Sequence, residues 1–158
     1  MVRASRPSPR TLALTPAERV YLRANWESLA GMRSALRTEP SVALAVLFGS
    51  RARGDHRPNS DVDLLVALRE PSKRRRVAER LESALGVPVQ LAALEHARQA
   101  PLLMDAVVRE GRVLVDRGGI WPVIAGRAEE IGREAARERR RIADEFDATF
   151  SSSRTDVS

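Results

Sequence analysis

The chain contains no cysteine, which excludes a disulfide framework and any thiolate metal site. Lysine is almost as scarce: Lys73 is the only one, and arginine carries the rest of the positive charge. Aromatic residues make up 4% of the 158, so a core has to be packed from Leu, Val, Ala and Ile. His56 has no second histidine or thiolate at metal-binding spacing, which argues against a histidine-centred metal site. No apolar run approaches the length of a membrane span, and the N-terminal arginines precede no apolar stretch suited to a signal sequence. A soluble, cytoplasmic protein without internal repeats is the expectation.

What is present fits one hydrophobic core: 43% of residues are hydrophobic and 30% charged. The net charge of +6 favours phosphates, nucleotides or an acidic partner without choosing among them. Residues 1–14 combine prolines, serines and arginines without periodicity and read as a disordered basic tail. A direct nucleic-acid role is not expected of that arm, because no aromatic residues interleave its charges. Residues 151–158 read as a polar tail, leaving 15–150 as the folded domain.

Within that span helix and strand signals alternate. Thr15-Pro16-Ala17-Glu18 is a capping box with proline in the first turn, and it predicts a helix ending before Pro40. Leu22, Trp26, Leu29, Met32 and Leu36 recur on its inner face, so Trp26 is expected in the core. Val42–Phe48 is an apolar run of the kind expected of a central strand. Asp61–Leu68 and Val87–Ala92 predict two further strands, with a helix over Lys73–Leu85 between them. A short helix over Pro101–Arg109 and an edge strand over Arg112–Val115 follow. A long helix over 120–148 carries a stripe of Ile124, Ala128, Ile131, Ala135, Ile142 and Phe146, which either covers the sheet or faces a partner. The class is α+β with α/β character: a small mixed sheet flanked by helices, ending in that long helix.

The chemistry concentrates between Phe48 and Leu64. The apolar run stops at Gly49-Ser50, ten residues intervene, and Asp61-Val62-Asp63 opens the next strand. Side chains two apart in a strand share a face, so Asp61 and Asp63 present both carboxylates together while Val62 and Leu64 turn inward. Two adjacent carboxylates call for a cation between them, and oxygen-only ligands suit magnesium. Gly49-Ser50 offers a closely approaching backbone and a hydroxyl, the usual means of holding a phosphate. Arg51, Arg53 and Arg57 lie in the intervening loop, within sequence reach of phosphate oxygens.

At these residues the sequence resembles the minimal nucleotidyltransferase (MNT) domains of the polymerase-beta superfamily, whose signature is Gly-Ser, ten residues, then Asp-x-Asp. Gly54 and Ser60 also fall where that family commonly keeps a glycine and a serine. The likeness spans about residues 40–116 and is nearest to the antitoxins paired with HEPN ribonuclease toxins. It implies a magnesium-dependent transfer of AMP from ATP to a hydroxyl, a tyrosine of the partner toxin. In that reading Asp61 and Asp63 are catalytic and bind the metal, and Gly49, Ser50, Arg51 and Ser60 contact the nucleotide. One position departs from the family: the strand residue matching a third carboxylate is Gln90, and an amide can neither act as a base nor add negative charge to a metal site. Glu95 is a possible substitute from the following loop, or a helix-start residue. Two functions therefore follow from the resemblance: an adenylyltransferase that silences a toxin, or a catalytically degenerate relative that neutralises its partner by occlusion.

Overall fold

A computed structural model describes residues 15–153; the tail expected at 1–14 and all but the start of the one expected at 151–158 lie outside the described residues. The chain runs α1 (Pro16–Arg37), β1 (Val42–Phe48), α2 (Ser50–Arg53), β2 (Val62–Leu68) and a 3-10 turn (Pro71–Lys73). It continues through α3 (Arg74–Leu85), β3 (Val89–Ala93), α4 (Leu94–Ala97), α5 (Pro101–Glu110), β4 (Arg112–Asp116), α6 (Ile120–Ala125) and α7 (Ala128–Ser153). The strands form one sheet in the order β3-β2-β1-β4. β1 pairs antiparallel with β2 and β4, and β2 pairs parallel with β3, so the sheet is mixed as expected. No described helix is long and apolar enough to cross a membrane.

Helices cover both faces of the sheet, which is why β1 and β2 are apolar on both sides. On one face Tyr21, Leu29, Met32 and Leu36 of α1 and Val77 and Leu81 of α3 pack over Ala45, Leu47, Val62 and Leu64. On the other, Leu44, Val46 and Leu65 meet Met104 and Val107 of α5, Ile124 of α6 and Ile131 of α7. A register shift between Val42 and Leu44 lets Val42 join Ala45 and Leu47 on the first face.

Local signals set several ends. The Thr15 hydroxyl accepts from the Glu18 amide at 3.2 Å, and the Glu18 carboxylate accepts from the Thr15 amide at 2.6 Å. The far end of α1 is closed from a distance: the Arg117 guanidinium donates to the carbonyls of Leu36, Glu39 and Val42. A C-terminal helix end leaves carbonyls without partners, and a cation placed there satisfies them and the helix dipole together.

Two expectations need correcting. Trp26 is 62% exposed, because α3 and the sheet cover the side of α1 that carries Tyr21, Met32 and Leu36 and leave its flank open. The expected helix over 120–148 is two helices divided at Gly126–Arg127, and the second runs on to Ser153, five residues past the expected end and into the expected polar tail. Its stripe is only partly covered: Ile131 and Ala135 are buried, whereas Ile142 and Phe146 are exposed.

The contrast along α1 is testable. Leu36→Ala is expected to lower the unfolding free energy by ~2–5 kcal/mol, the range for emptying a fully buried leucine site. Trp26→Ala should change it by less than ~1 kcal/mol, as for an exposed position. Chemical denaturation of both variants checks the pair, and equal losses would place Trp26 in the core after all.

Candidate active site

The Gly-Ser pair and the two aspartates meet at one end of the sheet. β1 delivers Gly49 just beyond Phe48, and Phe48 pairs directly with Asp63 of the antiparallel neighbour. Gly49 adopts φ +75° and ψ −158°, a conformation that only glycine takes without strain. Its approach to Asp63 is equally demanding: a Cβ at position 49 would lie 2.6 Å from Asp63 Oδ2. Both facts exclude a side chain here and put the Asp63 carboxylate against the Gly49 backbone. Val62 and Leu64 are fully buried on the opposite face, Asp63 is half-buried, and Asp61 is exposed.

The electrostatics match that placement. Burial pushes the Asp63 carboxyl above its ordinary pKa, the Asp61 carboxylate pushes it further the same way, and Arg53 offsets part of the rise. Like charges held together and partly withdrawn from water make a seat for a hard cation, and two carboxylates supply the oxygen donors magnesium prefers. Among the described residues no third acidic, histidine or cysteine side chain joins them to complete a larger ligand set.

Gln90 occupies the third strand position. It lies on β3 in register with Asp63, exposed at the rim. Glu95 does not replace it: β3 ends at Ala93, and Glu95 sits in the first turn of α4, past the end of the strand away from Gln90. A cavity of about 390 Å³, lined by Leu68, Arg74, Leu94 and His96 among others, also lies at that distant end. It holds none of the motif residues, whereas a second cavity, of about 420 Å³, is lined by Tyr21, Asn25, Arg53 and Gly54.

Two residues expected to contact nucleotide also have partners within the loop. Arg51 is buried, and its Nε and Nη2 donate to the Ser60 carbonyl at 3.0 and 2.8 Å, with Nη2 also 3.3 Å from the Pro58 carbonyl. It clamps the loop between the two motif halves. Ser60 closes the same loop, its hydroxyl accepting from the Arg57 amide at 2.8 Å. Ser50, by contrast, opens α2 directly after Gly49, at the corner itself.

The structure adds residues that motif spacing could not supply. Glu110, at the end of α5, accepts from the Gly49 amide at 3.1 Å and from Arg53 Nη1 at 3.1 Å through the same oxygen. Arg53 also holds Asp55 at 3.2 Å. Leu47 pairs with Arg112, and carrying that antiparallel register two residues on sets Glu110 opposite Gly49. Tyr21 and Arg112 brace the corner from behind. The Tyr21 hydroxyl donates to the Arg51 carbonyl at 2.9 Å, Arg112 donates to the Ala52 carbonyl at 2.7 Å, and the Arg112 guanidinium lies 3.3 Å over the Tyr21 ring. Nothing local marks these residues, since their meaning depends on which strands pair.

A mixed sheet with a glycine-serine corner facing paired aspartates defines a nucleotidyltransferase fold. The family model for polymerase beta nucleotidyltransferases matches residues 32–118, more than half of the chain, and the chain belongs to that family. Among solved structures it is similar to a chain of a toxin–antitoxin complex with AMP-PNP, at 28% identity and TM-score 0.60, covering 75% of this chain and 97% of that one. It is also similar to a chain of the MntA–HepT toxin–antitoxin complex, at 26% identity and TM-score 0.56, covering 77% and 97%. A third likeness is to a chain of the complex of tri-AMPylated Shewanella oneidensis HEPN toxin with MNT antitoxin, at 25% identity and TM-score 0.57, covering 77% and 98%. No curated protein matches the chain.

The raised Asp63 carboxyl yields a pH prediction. A folded pKa above the unfolded one means the folded chain holds the proton more tightly, so stability falls as pH rises through the range just above the ordinary carboxylate value. Asp63→Asn is expected to remove that loss and raise the neutral-pH melting temperature by ~1–3 °C, a small fraction of a domain's stability. Thermal melts across the acidic-to-neutral range test this. A lower melting temperature for Asp63→Asn throughout would refute it.

Proposed function

We propose that this protein is a magnesium-dependent nucleotidyltransferase that places AMP from ATP on a hydroxyl, a tyrosine, of a HEPN-type toxin partner, and so acts as its antitoxin. The observation that carries this reading is the contact of the Gly49 backbone with the Asp63 carboxylate beside Asp61. Support for the partner comes from the relatives, which are chains of toxin–antitoxin complexes, one solved with AMP-PNP and one with a tri-AMPylated HEPN toxin.

In this reading Asp61 and Asp63 hold magnesium, which supplies charge neutralisation for the triphosphate. Ser50 and the backbone at Gly49 receive the outer phosphates, and the missing side chain at Gly49 lets the Asp63 carboxylate lie directly beside them. The acceptor oxygen bonds to the α-phosphorus, the bond from that phosphorus to the bridging oxygen breaks, and pyrophosphate leaves. A tyrosine hydroxyl has a pKa of about 10, so its proton has to be removed or its oxyanion stabilised. Gln90 cannot take that proton, and the task falls to a group outside the β3 position.

Gln90 in register with Asp63 also favours a second reading, in which the chain neutralises its partner by occlusion alone. Incubating the protein with α-labelled ATP, magnesium and its HEPN-type toxin partner separates the two. Label on the toxin that disappears with Asp63→Asn is the expected result. Full inhibition of the toxin by Asp63→Asn, with no label in either sample, would establish occlusion instead.

The Glu110 contact gives a second measurement. A triphosphate at this corner competes with the Glu110 carboxylate for the Gly49 amide and Arg53. Glu110→Gln is expected to tighten magnesium-ATP binding by roughly fivefold, about the net worth of one ordinary hydrogen bond. Calorimetric titration measures it, and weaker binding would show that Glu110 supports the nucleotide site rather than competing for it.

A further inference from the structure

The positive charge of the chain is gathered at one end. Residues 1–37 hold seven arginines against two carboxylates, Glu18 and Glu27, and so carry +5 of the net +6. Four of those arginines lie on α1 and share one face. At about 100° per residue, Arg19, Arg23, Arg33 and Arg37 all fall within about 60° of Trp26. All five side chains are exposed. Among the described residues no ion pair or side-chain hydrogen bond engages any of the four. Glu18 closes the capping box at the start of α1, and Glu27 lies about 100° round the helix from Trp26, beyond Arg23 at the edge of the stripe.

The stripe runs about 27 Å from Arg19 to Arg37 at 1.5 Å per residue, with an arginine pair one turn apart at each end and a bare indole between them. Like charges one turn apart repel, so the arrangement works against α1 unless something anionic covers it. Leu22, Leu29 and Ala30 join the indole, Arg33 and Arg37 around a shallow depression of about 170 Å³. Contacts between proteins centre on uncharged residues, whereas contacts with nucleic acid are far more positive. Here four cations surround one aromatic ring. Single strands are held in this way: a cationic track follows the phosphates while an aromatic side chain stacks on an unpaired base. A duplex hides its base faces and would leave the indole without a partner. Arginine suits the track, because its planar fork grips a phosphate through two hydrogen bonds. No nucleic-acid role is expected of the N-terminal arm by itself, which has no aromatic ring; Trp26, exposed rather than in the core, supplies one on the element that follows.

We propose that the Arg19–Arg37 stripe of α1 binds single-stranded nucleic acid, with its arginines on the phosphates and the Trp26 indole stacked on a base. The inference is independent of the nucleotidyl-transfer reading, since no residue of the Gly49–Asp63 corner takes part.

The test is fluorescence anisotropy of the full chain with a labelled mixed-sequence strand of about 12 nucleotides, inside the usual range for such surfaces, made as RNA and as DNA. Both are expected to bind, with log affinity falling against log salt at a slope of about −3 or steeper, ~0.7 for each of four phosphates. Arg33→Gln combined with Arg37→Gln should flatten that slope by about 1.4. Trp26→Ala should weaken binding by about fivefold or more and leave the slope unchanged, because stacking releases no counterions. Arg76→Gln combined with Arg98→Gln removes the same charge from exposed positions elsewhere and should leave the slope as it is. Thermal melts of every variant report whether the body stays folded. A Trp26→Ala chain that binds as well as the wild type, a tighter grip on the matching duplex, or equal losses from the two double variants would each overturn the proposal. So would a chain that binds polyglutamate but neither strand, since the stripe would then belong to an acidic protein.

Discussion

The close approach of Gly49 to Asp63 is the constraint on which the rest of the site depends. A backbone can come within contact distance of a carboxylate only where no side chain intervenes, and only glycine accepts the dihedral angles that turn β1 into α2 at that point. The approach sets the Asp63 carboxylate against the Gly49 backbone and near Asp61, and burial and that second charge both disfavour its ionised form. The stability to tolerate it comes from elsewhere. β1 and β2 bury nearly every other side chain between two helical layers, so the unfavourable charges ride on the rim of a tightly packed sheet.

The corner is held by groups far away in sequence. Tyr21 reaches it from α1 and Arg112 from β4, each through a main-chain carbonyl of α2, and Arg51 fastens the loop that leads to Asp61. A four-residue helix has too few internal hydrogen bonds to fix its own orientation, so these contacts set the direction in which Ser50 points. Arg117 does comparable work between β4 and the end of α1. Arginine suits all of these positions because its planar fork serves several carbonyls at once, where a lysine ammonium is a single point of charge. The near absence of lysine noted in the sequence thus has a structural counterpart.

Legibility in the sequence followed distance along the chain. The Gly-Ser to Asp-x-Asp spacing, the Thr15 capping box and the apolar runs of β1 and β2 are local patterns, and the mixed α+β sheet could be reached from them. Glu110 and Arg112 could not be placed in the site, because their nearness to Gly49 and α2 exists only once β4 is paired with β1. Trp26 was misplaced for a related reason: helical periodicity defines a stripe on α1, but the sheet and α3 decide which edge of that stripe is covered. The place of Arg51 and Ser60 in the motif loop is legible in the sequence, but the hydrogen bonds with which they close that loop depend on its folded path. The break at Gly126–Arg127 escaped notice because apolar residues keep helical spacing on both sides of it.

The tie between Arg139 and Asp105 has a mechanical consequence. Past it residues 140–152 of α7 are exposed, so about 20 Å of helix at 1.5 Å per residue stands clear of the sheet. A small rotation about that tie is magnified along the projecting arm, so the far end near Phe150 travels further than the anchored end near Ala135.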